Sequence, residues 1–271
     1  KLKTHLNEFY FLGGMPEVIK VFLERKSFLQ AREIHRSLME TYFHDLPKYC
    51  KENQIARLEK VLKLIPNFIG KKMKLSQLLP DEKHPAIKKA LELLVCSRLI
   101  HKCFHTNATG IPLDATMDDS VFKVYLLDVG LLNYLHKIEW DEINSADLKI
   151  TSEGFMAEQF IAQHLAYFDH GLSVPELYYW LRDKKANNAE VDFVMKIKNE
   201  IYPIEVKSGK SGSIKSLQVC MQENQLQRAI RFDLAERDVK QIREKIKHNN
   251  CNFTLQHIPL YAVEWLREFI I

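Results

Sequence analysis

The sequence predicts a mixed protein of α+β or α/β class, with a helical N-terminal segment, a middle block of helices and strands, and a C-terminal α/β block. Three observations carry this. The first fifty residues place their apolar side chains at helical spacing. Residues 54–135 run helix, helix, turn, helix, then two strand-like segments around a polar loop. The last block opens with a helix and continues with strands whose first connection is a hairpin, not a helix-by-helix alternation.

In the N-terminal segment Leu2, Leu6, Phe9 and Tyr10 form a helical stripe that Gly13-Gly14 interrupts. Pro16 then opens a helix through Val18, Ile19, Phe22 and Leu23, at the position where proline is best tolerated. A longer helix is expected over 28–42, with Pro47 beyond its end. In the middle block, helices are expected at 55–65 and 75–79 and after Pro85, the last burying Ile87, Leu91, Leu94 and Val95. Strands at 98–105 and 121–127 flank a polar loop. That order is the order of a winged helix-turn-helix. The expected division is a helical segment at 1–50, a winged helix at 51–136, a polar connector at 137–150 and a final domain at 151–271. Within the final domain, a helix is expected at 152–168, strands at 177–182, 189–197 and 200–207, and a helix at 214–226. A strand at 228–234, a helix at 237–248, a strand at 251–257 and a helix at 260–270 complete it.

Composition narrows the class. Of 271 residues, 46% are hydrophobic and 27% charged, as in ordinary globular proteins. A net charge of +4 permits nucleic-acid binding without demanding it. The cysteines 50, 96, 103, 220 and 251 are odd in number, scattered and without a CxxC pair. They read as reduced thiols of a cytoplasmic protein, not as a disulfide framework or a zinc ribbon. No apolar run approaches the roughly 18 residues of a membrane helix, and no secretory signal opens the chain. The chain starts at Lys1 and enters at once an amphipathic segment, as a piece of a longer protein or a trimmed one would.

The chemistry-bearing feature is a hairpin. Two strand-like runs, Glu190–Ile197 and Ile201–Lys207, flank a tip at Lys198-Asn199. With that tip, Phe193 faces Ile204, Val191 faces Val206 and Met195 faces Tyr202, all six on one apolar face. On the other face Asp192 meets Glu205, and Glu190 meets Lys207. A one-residue slip would scramble the sorting. Like charges directly opposite are destabilising, so the pair needs a shared proton, a basic neighbour or a metal ion. Two carboxylates about 5 Å apart suit a divalent ion. Lys207 points to the same side as Glu205, where an ammonium can stabilise charge on a phosphate or orient a water. In the helix at 152–168, Glu158 shares a stripe with Phe155, Ala162 and Leu165, so it needs a partner.

The ordered set Glu158, Asp192, Glu205-Val206-Lys207 resembles the E…D…ExK signature of PD-(D/E)XK nucleases. Flanking segments sharpen the resemblance. Gly154-Phe155-Met156-Ala157-Glu158, Tyr179-Trp180, the run 190–194 and Pro203–Gly209 look like the C-terminal domain of unknown function of a group of prokaryotic AAA+-type ATPases. Gly13-Gly14-Met15-Pro16-Glu17-Val18 resembles that group's GG-x-PE-V element, and Lys123–Gly130 the segment leaving its winged helix. The resemblance implies a nuclease-like core in which Asp192, Glu205 and Glu158 hold Mg2+ or Mn2+ and Lys207 assists the nucleophile. It also implies an ATPase domain preceding this chain or in a partner chain. The chain itself has no GxxxxGK[ST] element, so no ATPase activity is expected of it; Gly209-Lys210-Ser211 reads as a turn after the strand.

The expected function is action on nucleic acid, DNA favoured, by metal-dependent phosphodiester hydrolysis. The alternatives are a non-catalytic interaction or regulatory module on the same fold, or a DNA-binding regulator using the winged helix. Lys88 and Lys89 on the third helix of the middle block, and Lys215 with Gln218 on the helix after the hairpin, are candidate phosphate contacts or solvated surface. His101, Cys103 and His105 alternate along one strand, but such residues are usually structural there.

Overall fold

The computed structural model describes residues 1–48, 50–144, 150–168, 175–182, 188–209, 212–246 and 249–270, with backbone alone at 52, 53, 150–153, 239, 243–246 and 249–251. The protein is a mixed α/β fold. In chain order its helices and strands are α1 (Leu2–Leu12), α2 (Pro16–Arg25), α3 (Phe28–Asp45), α4 (Glu52–Leu64), α5 (Leu75–Leu78), α6 (His84–Cys96), β1 (Ile100–Thr106), β2 (Met117–Leu126), α7 (Val129–Leu135), α8 (Trp140–Asn144) and α9 (Ile150–Ala166). Then come β3 (Leu177–Arg182), β4 (Ala189–Ile197), β5 (Glu200–Val206), α10 (Lys215–Glu223), β6 (Arg228–Asp233), β7 (Asp238–Ile246), β8 (Asn249–Pro259) and α11 (Leu266–Phe269).

The chain forms two compact units. One is Lys1–Lys102 with Lys123–Gln163; the other is Cys103–Phe122 with His164–Ile271. The expected junction at 150/151 falls at the start of α9, whereas the unit boundary falls near its end, at Gln163/His164. Of the expected connector, residues 145–149 lie outside the described residues, as do Lys210 and Ser211 of the turn after the hairpin.

In the first unit the two motif segments that carry the resemblance meet each other. α1 ends at Gly13, whose φ of 70° suits glycine. A Cβ there would lie 2.0 Å from the Asp128 carboxylate. Asp128 accepts the Gly14 N–H at 2.7 Å and caps α7 through the Leu131 N–H at 3.0 Å. Gly130 is held just as closely, since a Cβ there would lie 2.5 Å from the Leu12 carbonyl oxygen. Pro16 opens α2, and Ser27 caps α3. Trp140 stacks on Phe28 with centroids 4.0 Å apart. The helices of the middle block are present as α4, α5 and α6, followed by β1 and β2.

The strands form an eight-stranded mixed sheet in the order β2-β1-β3-β4-β5-β6-β8-β7, of which β3 to β8 and residues 103–106 and 117–122 of β1 and β2 belong to the second unit. Cys103–His105 of β1 pair in parallel with β3, which pairs antiparallel with β4. β5, β6 and β8 are parallel neighbours, and β7 closes one edge antiparallel to β8. The helix expected at 237–248 is therefore strand β7. The apolar spacing of Val239, Ile242 and Ile246 is helical, but pairing with β8 along the whole of β7 overrides it. The C-terminal helix expected at 260–270 is a 3-10 segment at Leu260–Trp265, kinked at Ala262, followed by the single turn of α11. Cysteines 50, 96, 103 and 220 are free thiols; the Cys251 side chain lies outside the description. Among the described residues no helix is long and apolar enough to cross a membrane.

Candidate active site

The hairpin has the register that the alternation predicts. Phe193 pairs with Ile204, Met195 with Tyr202 and Ile197 with Glu200, around the tip Lys198-Asn199. Beyond Phe193 the other neighbour intervenes. Tyr178 pairs with Val194 and Trp180 with Val191, so two steps along β3 span three along β4. That count is a β-bulge, with Asp192 and Phe193 the doubled residues.

The bulge changes which side chains share a face. Val191 was expected beside Phe193 and Met195, but it joins Val194 in one core cluster with Ile201 and with Leu217, Cys220 and Met221 of α10. The face expected to be polar is thus largely buried: Val194 is 1% exposed and Ile201 9%. Charge stands at its two ends, Lys196 near the hairpin tip and Asp192 at the other. There, in place of a simple pair with Glu205, the Asp192 carboxylate accepts the Val206 N–H at 2.7 Å. This brings it to the level of the Glu205-Val206 peptide.

Glu205 is buried, and its Oε1 is in an ion pair with Lys207 Nζ. Burial alone would push the Lys207 ammonium down. Glu205 and Asp192 outweigh that and hold it above the usual lysine value, with Arg231 opposing them. The Lys207 N–H donates to the Phe232 carbonyl at 2.8 Å, which carries the chain from β5 into the following loop.

The sheet adds residues that sequence reasoning did not single out. Glu205 stands in register with Arg231 on β6, and Arg231 with His257 on β8. Arg231 Nε donates to Asp233 Oδ2 at 2.7 Å, and Nη1 to the Gly212 carbonyl at 2.9 Å. His257 Nδ1 lies 3.3 Å from the same Asp233 oxygen. Asp233 is fully buried, and Arg231 and His257 nearly so. Six ionisable side chains therefore gather at one end of β4, β5, β6 and β8. The signal available in the sequence was Arg231 and Asp233, two apart on a predicted strand; the parallel pairing that sets them beside Glu205 was not.

Glu158 is placed in the first unit. Its Oε1 accepts a hydrogen bond from Lys123 Nζ at 3.2 Å and another from the Tyr125 hydroxyl. Lys123 and Tyr125 are fully buried and, two apart on β2, project to the same side. Gly70 makes room for the carboxylate: a Cβ there would lie 2.6 Å from Glu158 Oε2. The neighbouring Gln159 clasps Leu126, donating to its carbonyl at 2.7 Å and accepting its N–H at 2.9 Å. Among the described residues no three His, Cys, Asp or Glu side chains are grouped to hold an ion. Asp192 and Glu205 still supply hard oxygens of the kind magnesium and manganese take. Magnesium is commonly held by only one or two carboxylates, with waters and substrate phosphate completing its octahedron.

The remaining candidates are surface or packing residues. Lys88 and Lys89 are exposed on α6, and Lys215 on α10, whereas Gln218 is buried. His101 and Cys103 are buried, and the His105 ring bonds the Leu181 carbonyl at 3.1 Å.

Residues 3–142 match the model of a family described as Domain of unknown function (DUF8612). Residues 153–252 match Domain of unknown function (DUF4143), which occurs in AAA-ATPase-associated proteins. No curated protein and no solved structure matches the chain significantly.

Proposed function

The chain belongs to the DUF8612 family, and from the site in its second unit we propose that it acts on nucleic acid, hydrolysing a phosphodiester as PD-(D/E)XK-type nucleases do. The observation that carries this reading is the convergence of Asp192, Glu205 and Lys207. A bulge turns the Asp192 carboxylate to the Val206 N–H, and Lys207 lies on Glu205. In this reading Asp192 and Glu205 hold a magnesium or manganese ion. The ion would lower the pKa of a bound water and offset charge on the phosphate. Lys207, kept protonated by its two carboxylate neighbours, faces the oxygen on which charge develops.

The order α4–α5–α6–β1–β2 supports a winged helix in this chain, with Lys88 and Lys89 of α6 as phosphate contacts. The DUF4143 match supports association with an ATPase domain, in the same polypeptide or in a partner. The reading of Glu158 as a third ion ligand is weakened by its pairing with Lys123 and Tyr125.

The test is cleavage of duplex, branched and single-stranded DNA with magnesium. We expect Asp192→Ala to abolish activity, and cleavage that survives it would sink the mechanism. A second reading, a non-catalytic module on the same fold, is favoured by the direct closure of Lys207 onto Glu205. Calorimetric titration with Mn2+ separates the two. The nuclease reading expects binding by the wild type and its loss in Glu205→Gln; no binding by the wild type supports the module.

A further inference from the structure

Gly212 lies against the stem of the candidate catalytic lysine. A Cβ built on it would lie 3.1 Å from Lys207 Cδ, 3.4 Å from Cγ and 3.5 Å from Cε, and its φ of 146° is one that L side chains rarely adopt. A side chain there would force the Lys207 stem to give by a few tenths of an ångström, on a backbone that its φ already strains. Gly212 in turn accepts a hydrogen bond from Arg231 Nη1 at 2.9 Å. Arg231 is fixed from behind by Asp233, which is fully buried and accepts from Arg231 Nε, from the Ala235 N–H at 2.8 Å, and lies beside His257 Nδ1. Asp233 is thus gripped from three sides, and Arg231 spends two of its nitrogens on holding rather than on reaching outward.

From this chain of contacts we propose that Arg231 is a positioning residue for Lys207. It anchors the carbonyl of Gly212, and Gly212 forms the wall that keeps the Lys207 ammonium on Glu205. The proposal explains why a guanidinium 4% exposed sits in the sheet next to Glu205. A buried cation is costly to maintain, and its fork geometry suits two bonds at once, one to a carboxylate and one to a carbonyl. The glycine at 212 serves both ends: it accepts the φ of 146° and leaves the Lys207 stem its space. The catalytic consequence rests on the nuclease reading above; the placement of Lys207 does not.

The decisive variants are Arg231→Met and Gly212→Ala. The first removes the anchor. The second leaves every buried charge in place and pushes a methyl group into the lysine stem. Lys207 Nζ is observed by 15N NMR of its ammonium, which gives a slowly exchanging signal only while it is held in an ion pair; Lys207→Gln assigns the signal. We expect the signal in the wild type and its loss in both variants, with Gly212→Ala still melting cooperatively. Should Arg231→Met fail to fold, Gly212→Ala decides alone. Persistence of the signal in a folded Gly212→Ala, or its absence from the wild type, would overturn the proposal. Where the wild type cleaves DNA, kcat should also drop by about 10- to 100-fold with KM nearly unchanged, as misplacing a catalytic group does. A wild type that does not cleave but shows the expected ammonium behaviour would refute the nuclease reading and leave the positioning intact.

Discussion

The fully buried Lys123 ammonium meets the partly buried Glu158 carboxylate, with the Tyr125 hydroxyl on the same oxygen. Breaking one side of a buried pair leaves the other charge stranded, which costs about 3–5 kcal/mol. Glu158→Gln should therefore lower the unfolding free energy by roughly that amount in a urea titration, while Lys123→Met combined with Glu158→Leu recovers much of it. A change within about 0.5 kcal/mol for Glu158→Gln would mean that the pair is solvated or replaced. This residue also marks where sequence reading stopped. Helical spacing placed Glu158 on an inward face and demanded a partner for it. That the partners are Lys123 and Tyr125, more than thirty residues earlier on a strand, could not be read from either segment alone. Arg231 and His257 stayed hidden for the same reason: parallel pairing is fixed by long connections, and those leave no local pattern.

Elements were legible where their pairing was local. The β4–β5 hairpin has a two-residue tip, so its alternation determined the register from Phe193 to Ile197. The bulge at Asp192 depends on the third strand, β3, and its effect on Val191 was out of reach. β7 was misread as a helix because edge pairing, not its own apolar spacing, decides its conformation. In the first unit the glycine pair after α1 reads as a helix stop, and the structure adds its purpose. Gly13 leaves the volume into which Asp128 reaches to cap α7, and Gly14 donates its N–H to the same carboxylate. Asp128→Ala removes both that cap and the bond to Gly14, and should cost about 1–2 kcal/mol. Asp128→Asn, which keeps a cap acceptor, should lose less. Equal losses in chemical denaturation would show that the cap is not what Asp128 contributes.

At the scale of the molecule, two buried histidines make stability sensitive to acid. Burial holds His35 at a pKa of about 4 and His101 likewise, against 6.5 for the free ring. Both remain neutral in the folded protein where the unfolded chain is already protonated. The unfolded state therefore binds more protons between pH 6.5 and 4, and stability, complete above 6.5, declines as the pH falls through that window. By pH 5 each ring should contribute a loss of up to about 2 kcal/mol. His35→Gln, which can still donate to the Leu12 carbonyl, should show a shallower decline in melting temperature from pH 7 to pH 4.5 than the wild type. An identical slope would remove His35 from the account. The interleaving of the two units has a consequence for synthesis. As the polypeptide leaves the ribosome, residues 103–122 emerge well before strand β3, their partner, exists. The first unit cannot close until Gln163 has followed. Until β3 follows, the edge of β1 that β3 will cover stays open to other chains. Expression yield should accordingly fall faster with temperature than the stability of the finished protein does.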